Sequence, residues 1–137
     1  MNTGDTLKIR ATDKNNKLAL NETYGLRFIM TGRIAASGSI MSLLCSDAVS
    51  SFWNSVNSGA FAYLFKNCSA LVAAPELPSE TVYESVYRGM FTNCVNLSAG
   101  PVLRVNSSTY AIHAFAHMFE NCCNLTSVEG DISISSN

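Results

Sequence analysis

Five cysteines, two histidines four residues apart and an abundance of hydroxyl and amide side chains are the groups in this chain that could carry chemistry. Cysteine can ligate a metal, form a disulfide or act as a nucleophile. His113 and His117 would lie on one side of a helix, with Glu120 nearby, which is metal-ligand spacing. A closed site needs three or four ligands, however, and this pair supplies no more than the beginning of one. No nucleophile elbow, Gly-rich phosphate loop or paired-carboxylate motif is present, so the reading is of a non-enzymatic protein with no cofactor and no metal site. Asn-x-Ser/Thr occurs at Asn21, Asn67, Asn96, Asn106 and Asn124. Three of these fall in a repeated motif where turn formation and backbone hydrogen bonding account for the amide.

The cysteines are ordered by an internal repeat. Leu64-Phe65-Lys66-Asn67-Cys68-Ser69-Ala70-Leu71 returns as Met90-Phe91-Thr92-Asn93-Cys94-Val95-Asn96-Leu97 and as Met118-Phe119-Glu120-Asn121-Cys122-Cys123-Asn124-Leu125. Pro75 and Leu77 recur as Pro101 and Leu103, and an aromatic precedes each motif Phe by four residues, at Phe61, Tyr87 and Phe115. The spacing of aromatic, Leu/Met and Phe at i, i+3 and i+4 predicts a short helical turn opening each copy. One copy cannot bury its apolar face alone, so stacking must line Phe on Phe, Cys on Cys and Leu on Leu. Cys68, Cys94 and Cys122 then form a ladder of buried thiols. Neighbouring Cα atoms in such a ladder fall within disulfide reach, but parallel Cβ vectors disfavour the bond. Cys123 is out of phase and is the candidate reactive thiol; Cys45 follows an apolar run and reads as core.

The elements expected to hold this ladder are an α+β, leucine-rich-repeat-like solenoid of about three 26–28-residue repeats, at 61–86, 87–114 and 115–137, behind an N-terminal mainly β cap over 1–60. Within the cap, strands are expected at Thr6 to Ala11, Leu18 to Leu20, Leu26 to Met30 and Ile40 to Leu44, and a short helix with Trp53 as core anchor after Asp47. A loop is expected at Arg104 to Ser108, where the middle copy is longer.

The 137 residues suffice for one domain, and 47% hydrophobic residues provide a core. Charged residues make up only 14% against 18 Ser and 13 Asn, and the net charge is -1. The surface is therefore polar but nearly neutral, which disfavours nucleic acid as a partner. No apolar run is long enough for a membrane span, and the charged first twenty residues do not form a secretory signal.

The pattern Tyr87-x-x-Met90-Phe91-x-Asn93-Cys94-x-Asn96-Leu97 with Pro101 and Leu103, preceded by Gly38-Ser39-Ile40-Met41-Ser42-Leu43-Leu44, resembles the BspA-like leucine-rich-repeat surface proteins of host-associated anaerobic bacteria, over about residues 31 to 130. The resemblance implies a secreted or cell-surface recognition module for a protein or glycan of a host or neighbouring cell. A structural or receptor-binding part of a virion or other assembly is the alternative, and self-association is compatible with either. Strand alternation places Leu71, Ala73 and Leu77 inward, and makes Val72, Ala74, Glu76, Ser98, Gly100, Val102, Thr126 and Val128 the candidate contact face.

Overall fold

The computed structural model describes residues 4–10, 25–44, 58–78, 82–107 and 111–134. Four strands, β1 (Ile34–Ala35), β2 (Leu71–Ala73), β3 (Ala99–Ser107) and β4 (Ser127–Ile134), form one parallel sheet in that order. Ala73 pairs with Ala99 and Ala99 with Ser127, offsets of 26 and 28 residues that reproduce the spacing of the sequence motif. The expected α+β leucine-rich-repeat-like solenoid is nevertheless overturned. The described residues make a small domain around a four-stranded parallel sheet with almost no helix, the one helical element being a 3-10 turn at Ile40–Leu43.

What replaces the expected helical turns is a chain of β-turns at 58–67, 84–93 and 112–121. In each, every fourth residue has left-handed backbone: Gly59, Tyr63 and Asn67; Ser85, Gly89 and Asn93; His113, His117 and Asn121, with φ between 55° and 69°. A helix cannot contain such residues, because each one reverses the local hand. The hydrogen bonds divide accordingly. The N–H groups of Ala62, Leu64, Lys66 and Cys68 donate three residues back, to Gly59, Phe61, Tyr63 and Phe65, whereas those of Gly59, Phe61, Tyr63, Phe65 and Asn67 donate forward to carbonyls of the next segment, from Glu84 to Thr92, at 2.8 to 3.0 Å. These segments, called ribbons below, thus bond to one another much as strands do. The second ribbon bonds to the third in the same way, through Ser85, Tyr87, Gly89, Phe91 and Asn93.

The core lies between sheet and ribbons. Phe61, Leu64, Leu71, Leu77, Tyr87, Met90, Phe91, Cys94 and Leu97 are buried, while Phe115, Phe119, Cys122 and Leu125 of the last unit are partly so. Phe28, Phe65, Phe91 and Phe119 stack in one column with centroid separations of 5.2 to 5.7 Å, and Phe61, Tyr87 and Phe115 in a second at 5.7 to 5.8 Å. Offset aromatic stacking of this kind adds about 0.5 to 1.5 kcal/mol per pair beyond area burial.

Other expectations are corrected. Thr6 to Arg10 and Leu26 to Met30 form no strand, and Leu7 and Ile9 are exposed. Ile40 to Leu43 is a 3-10 turn because Ser39 caps it, its hydroxyl accepting from the Met41 N–H at 3.2 Å. Arg104 to Ser107 is not a loop but the end of β3, paired with Asp131 to Ile134 of β4. A change of register between Ala99 and Val102 lets three steps of β3 oppose two of β4. The segments at Leu18 to Leu20 and around Trp53, with Ala11, Cys45 and Ser108, lie outside the described residues.

Candidate functional site

The thiol ladder is structural in its geometry. Cys94 Sγ donates to the Phe65 carbonyl at 3.1 Å, and Cys122 Sγ to the Phe91 carbonyl, also at 3.1 Å. Each thiol therefore ties one unit to the one before it. Cys68, Cys94, Cys122 and Cys123 are free. Burial, reinforced by the nearby Cys122, pushes the Cys94 thiol up to about 12, and burial also raises Cys122. A thiolate nucleophile is thereby disfavoured at both positions. Cys123 is exposed, outside the ladder, with its Sγ 3.6 Å from the Asn121 carbonyl.

His113 and His117 do not share a helix face. Both sit in the left-handed column of the third ribbon and are exposed, and His117 Nδ1 lies 3.1 Å from Glu120 Oε2. Among the described residues, no three His, Cys, Asp or Glu side chains converge on a point that could hold a metal ion.

The asparagines do more than end the ribbons. Asn93 Nδ2 donates to Asn67 Oδ1 at 2.7 Å and Asn121 Nδ2 to Asn93 Oδ1 at 2.8 Å, a ladder of amides on the exposed edge of the stack. A second amide series links the turns into the sheet: Asn96 Nδ2 donates to the Ser69 carbonyl at 2.9 Å and Asn124 Nδ2 to the Val95 carbonyl at 2.8 Å. Ser98 Oγ donates to Val72 O and Thr126 Oγ1 to Ser98 O, continuing the pattern by one residue type.

Two clefts cross the outer side of the sheet. One, of about 470 Å³, is lined by Arg33, Val72, Asn96, Ser98 and Asn124; the other, of about 190 Å³, by Glu76, Pro78, Val102 and Arg104. Four of the eight residues expected on the contact face, Val72, Ser98, Glu76 and Val102, thus line clefts. Thr126 and Val128 are exposed beside them. Ala74 packs in part against the core, and a Cβ at Gly100 would meet the Ser127 carbonyl at 2.7 Å and Val128 Cγ2 at 2.8 Å. Gly100 is required by the close approach of β4, so it offers no side chain and little room to a ligand. Sequence reasoning missed Arg33, Asn96 and Asn124. The recurrence of Asn96 and Asn124 in one phase was the available signal, but it reads equally as turn chemistry.

No family model, no curated protein and no solved structure matches the chain.

Proposed function

We propose that this chain is a non-enzymatic recognition module that binds a protein or glycan ligand on the outer side of its parallel sheet, at a bacterial cell surface. The observation that carries the reading is the cleft of Arg33, Val72, Asn96, Ser98 and Asn124. Its amides are already oriented, because Asn96 and Asn124 each commit an N–H to a backbone carbonyl and, among the described residues, keep Oδ1 available as an acceptor. Ser98 donates to Val72 O and likewise retains its lone pairs. The guanidinium of Arg33 adds donors and Val72 an apolar floor. Fixed acceptors, a donor and a small apolar patch suit a ligand rich in hydroxyl or amide groups, and their prior ordering lowers the entropy cost of binding.

The near-neutral surface and the resemblance of the repeated motif to BspA-like surface proteins point the same way. Among the described residues no helix is long and apolar enough to cross a membrane. Screening the chain on glycan and host-protein arrays tests the reading. The expected result is saturable binding to at least one ligand that is lost in Ser98→Lys with an unchanged melting temperature. Binding that survives Ser98→Lys together with Val102→Glu would remove the sheet side as the contact surface.

A further inference from the structure

We infer that the end of the stack formed by residues 113–121 is a docking face for another unit of the same motif, presented by a second polypeptide. The N–H groups of His113, Phe115, His117, Phe119 and Asn121 meet no acceptor among the described residues, whereas their counterparts at 59–67 and 85–93 all donate to the following ribbon. Other groups end the same way. The carbonyls of Phe65 and Phe91 each accept a backbone N–H from their own unit and a thiol from the next, while among the described residues that of Phe119 accepts only the Cys122 N–H. Asn121 donates to Asn93 and, among the described residues, accepts nothing at Oδ1. Among the described residues, Phe115 and Phe119 each stack on one neighbour, and no second ring lies against the other face.

The opposite end is covered. Phe28 stacks on Phe65 at 5.2 Å and donates its N–H to the Leu64 carbonyl at 2.8 Å, and Ile34 donates to Ala70. Only one end of the described stack therefore carries a cap, and uncapped ends of stacked units recruit further surface.

The chemistry of the open face selects its occupant. Its backbone row is made of donors alone. A regular strand edge alternates N–H and C=O, so an extended peptide would satisfy it only in part. Two copies meeting by a two-fold axis would set donors against donors. What fits is an acceptor row of ribbon form, such as the carbonyls of Glu84, Val86, Arg88, Met90 and Thr92, together with a Cys thiol for Phe119 O and an Asn amide for Asn121. In this chain the matching face of the first ribbon already lies against Phe28, which argues against a second copy docking head to tail.

The test is amide exchange on the whole chain, free and with a peptide of residues 83–107 added in trans. Because the free peptide must order on binding, a second format joins it through a Gly/Ser linker, raising its effective concentration. The expected result is at least tenfold slower exchange at Phe115, His117, Phe119 and Asn121 in both formats, with saturation by the free peptide. Asn121→Gly, which keeps the left-handed backbone but removes the amide, should weaken binding severalfold. Unchanged exchange with the tethered peptide, or equal slowing by a scrambled one, would overturn the inference. Slowing confined to the tethered format, with none from millimolar free peptide, would overturn a partner in trans.

Discussion

The Cys94 thiol donates to the carbonyl of Phe65, 29 residues earlier and 3.1 Å away, inside the core and beside the stacked rings of Phe65 and Phe91. One side chain thus fills volume, satisfies a buried carbonyl and fixes the register of two units. Serine could make the bond but would bury a harder polar group; alanine would leave the carbonyl with one partner fewer.

The first prediction concerns reactivity. With Cys94 fully buried and its thiol pushed up to about 12, and Cys122 raised as well, native alkylation at pH 8 should modify Cys123 well before Cys94. Mass-spectrometric mapping of a labelling time course checks the order. Comparable rates at Cys94 and Cys123 would show that the ladder opens readily.

The same burial fixes a pH dependence. Unfolded, the Cys94 thiol loses its proton above about pH 8.5, whereas in the fold it keeps it to about 12. The folded chain therefore holds more protons in that window, so stability is intact below it and falls as pH rises through it. Urea midpoints measured from pH 7 to 11 should decline, and Cys94→Ala, less stable at pH 7, should decline less steeply.

The Phe, Cys and Leu columns were legible in the sequence because burial demands the same residue type in each unit, and a 26- or 28-residue period cannot be mistaken for chance when Phe91 and Cys94 repeat on both sides. The ribbon was not. A left-handed residue every fourth position places aromatic and Phe on one side much as a 3.6-residue helix does, and over ten residues the two periods barely diverge. The Gly and Asn that would have announced left-handed backbone are present at 59, 67, 89, 93 and 121, but Tyr63, Ser85, His113 and His117 occupy the remaining positions and mask the pattern. Of the expected contact face, Val72, Ser98 and Val102 line clefts where alternation persists, whereas Ala74 packs in part against the core and Gly100 lies within the irregular pairing of β3 with β4.

Core packing gives a graded prediction. Phe91 is fully buried and stacked between Phe65 at 5.6 Å and Phe119 at 5.7 Å, so Phe91→Ala should cost about 3 to 5 kcal/mol. Phe119 is half-buried at the open end, and Phe119→Ala should cost distinctly less. Equal losses in denaturant titrations would contradict the observed burial.

Two glycines separate strain from space. Gly59 and Gly89 both have left-handed backbone, at φ 69° and 57°, but a Cβ at Gly59 would meet only Ala62 Cβ at 4.0 Å, whereas one at Gly89 would overlap the Tyr63 ring. Gly59→Ala should therefore cost about 1 to 2 kcal/mol, the penalty of the conformation alone. Gly89→Ala should cost more, and Tyr63→Ala in the same chain should recover part of the excess. Additive losses in the double variant would mean that the ring does not occupy the space that glycine leaves.

The amide ladder allows the last prediction, which distinguishes backbone preference from hydrogen bonding at a single position. Asn93 has φ 62°, donates to Asn67 and accepts from Asn121. Asn93→Gly removes both amide bonds but keeps the conformation available, while Asn93→Leu removes the bonds and adds the steric cost of left-handed backbone. Net hydrogen bonds contribute about 0.5 to 1.5 kcal/mol each, and less where water competes at an exposed edge. The glycine variant should accordingly lose about 1 kcal/mol, and the leucine variant about 1 to 2 kcal/mol more. Asn93→Asp tests the bonding directly, because a carboxylate retains the acceptor for Asn121 but faces Asn67 Oδ1 without a proton to donate. It should fall between the two at neutral pH and regain stability as pH drops below the carboxylate range. A flat pH response of Asn93→Asp relative to the parent chain would show that the amides on this edge are held by solvent and not by one another.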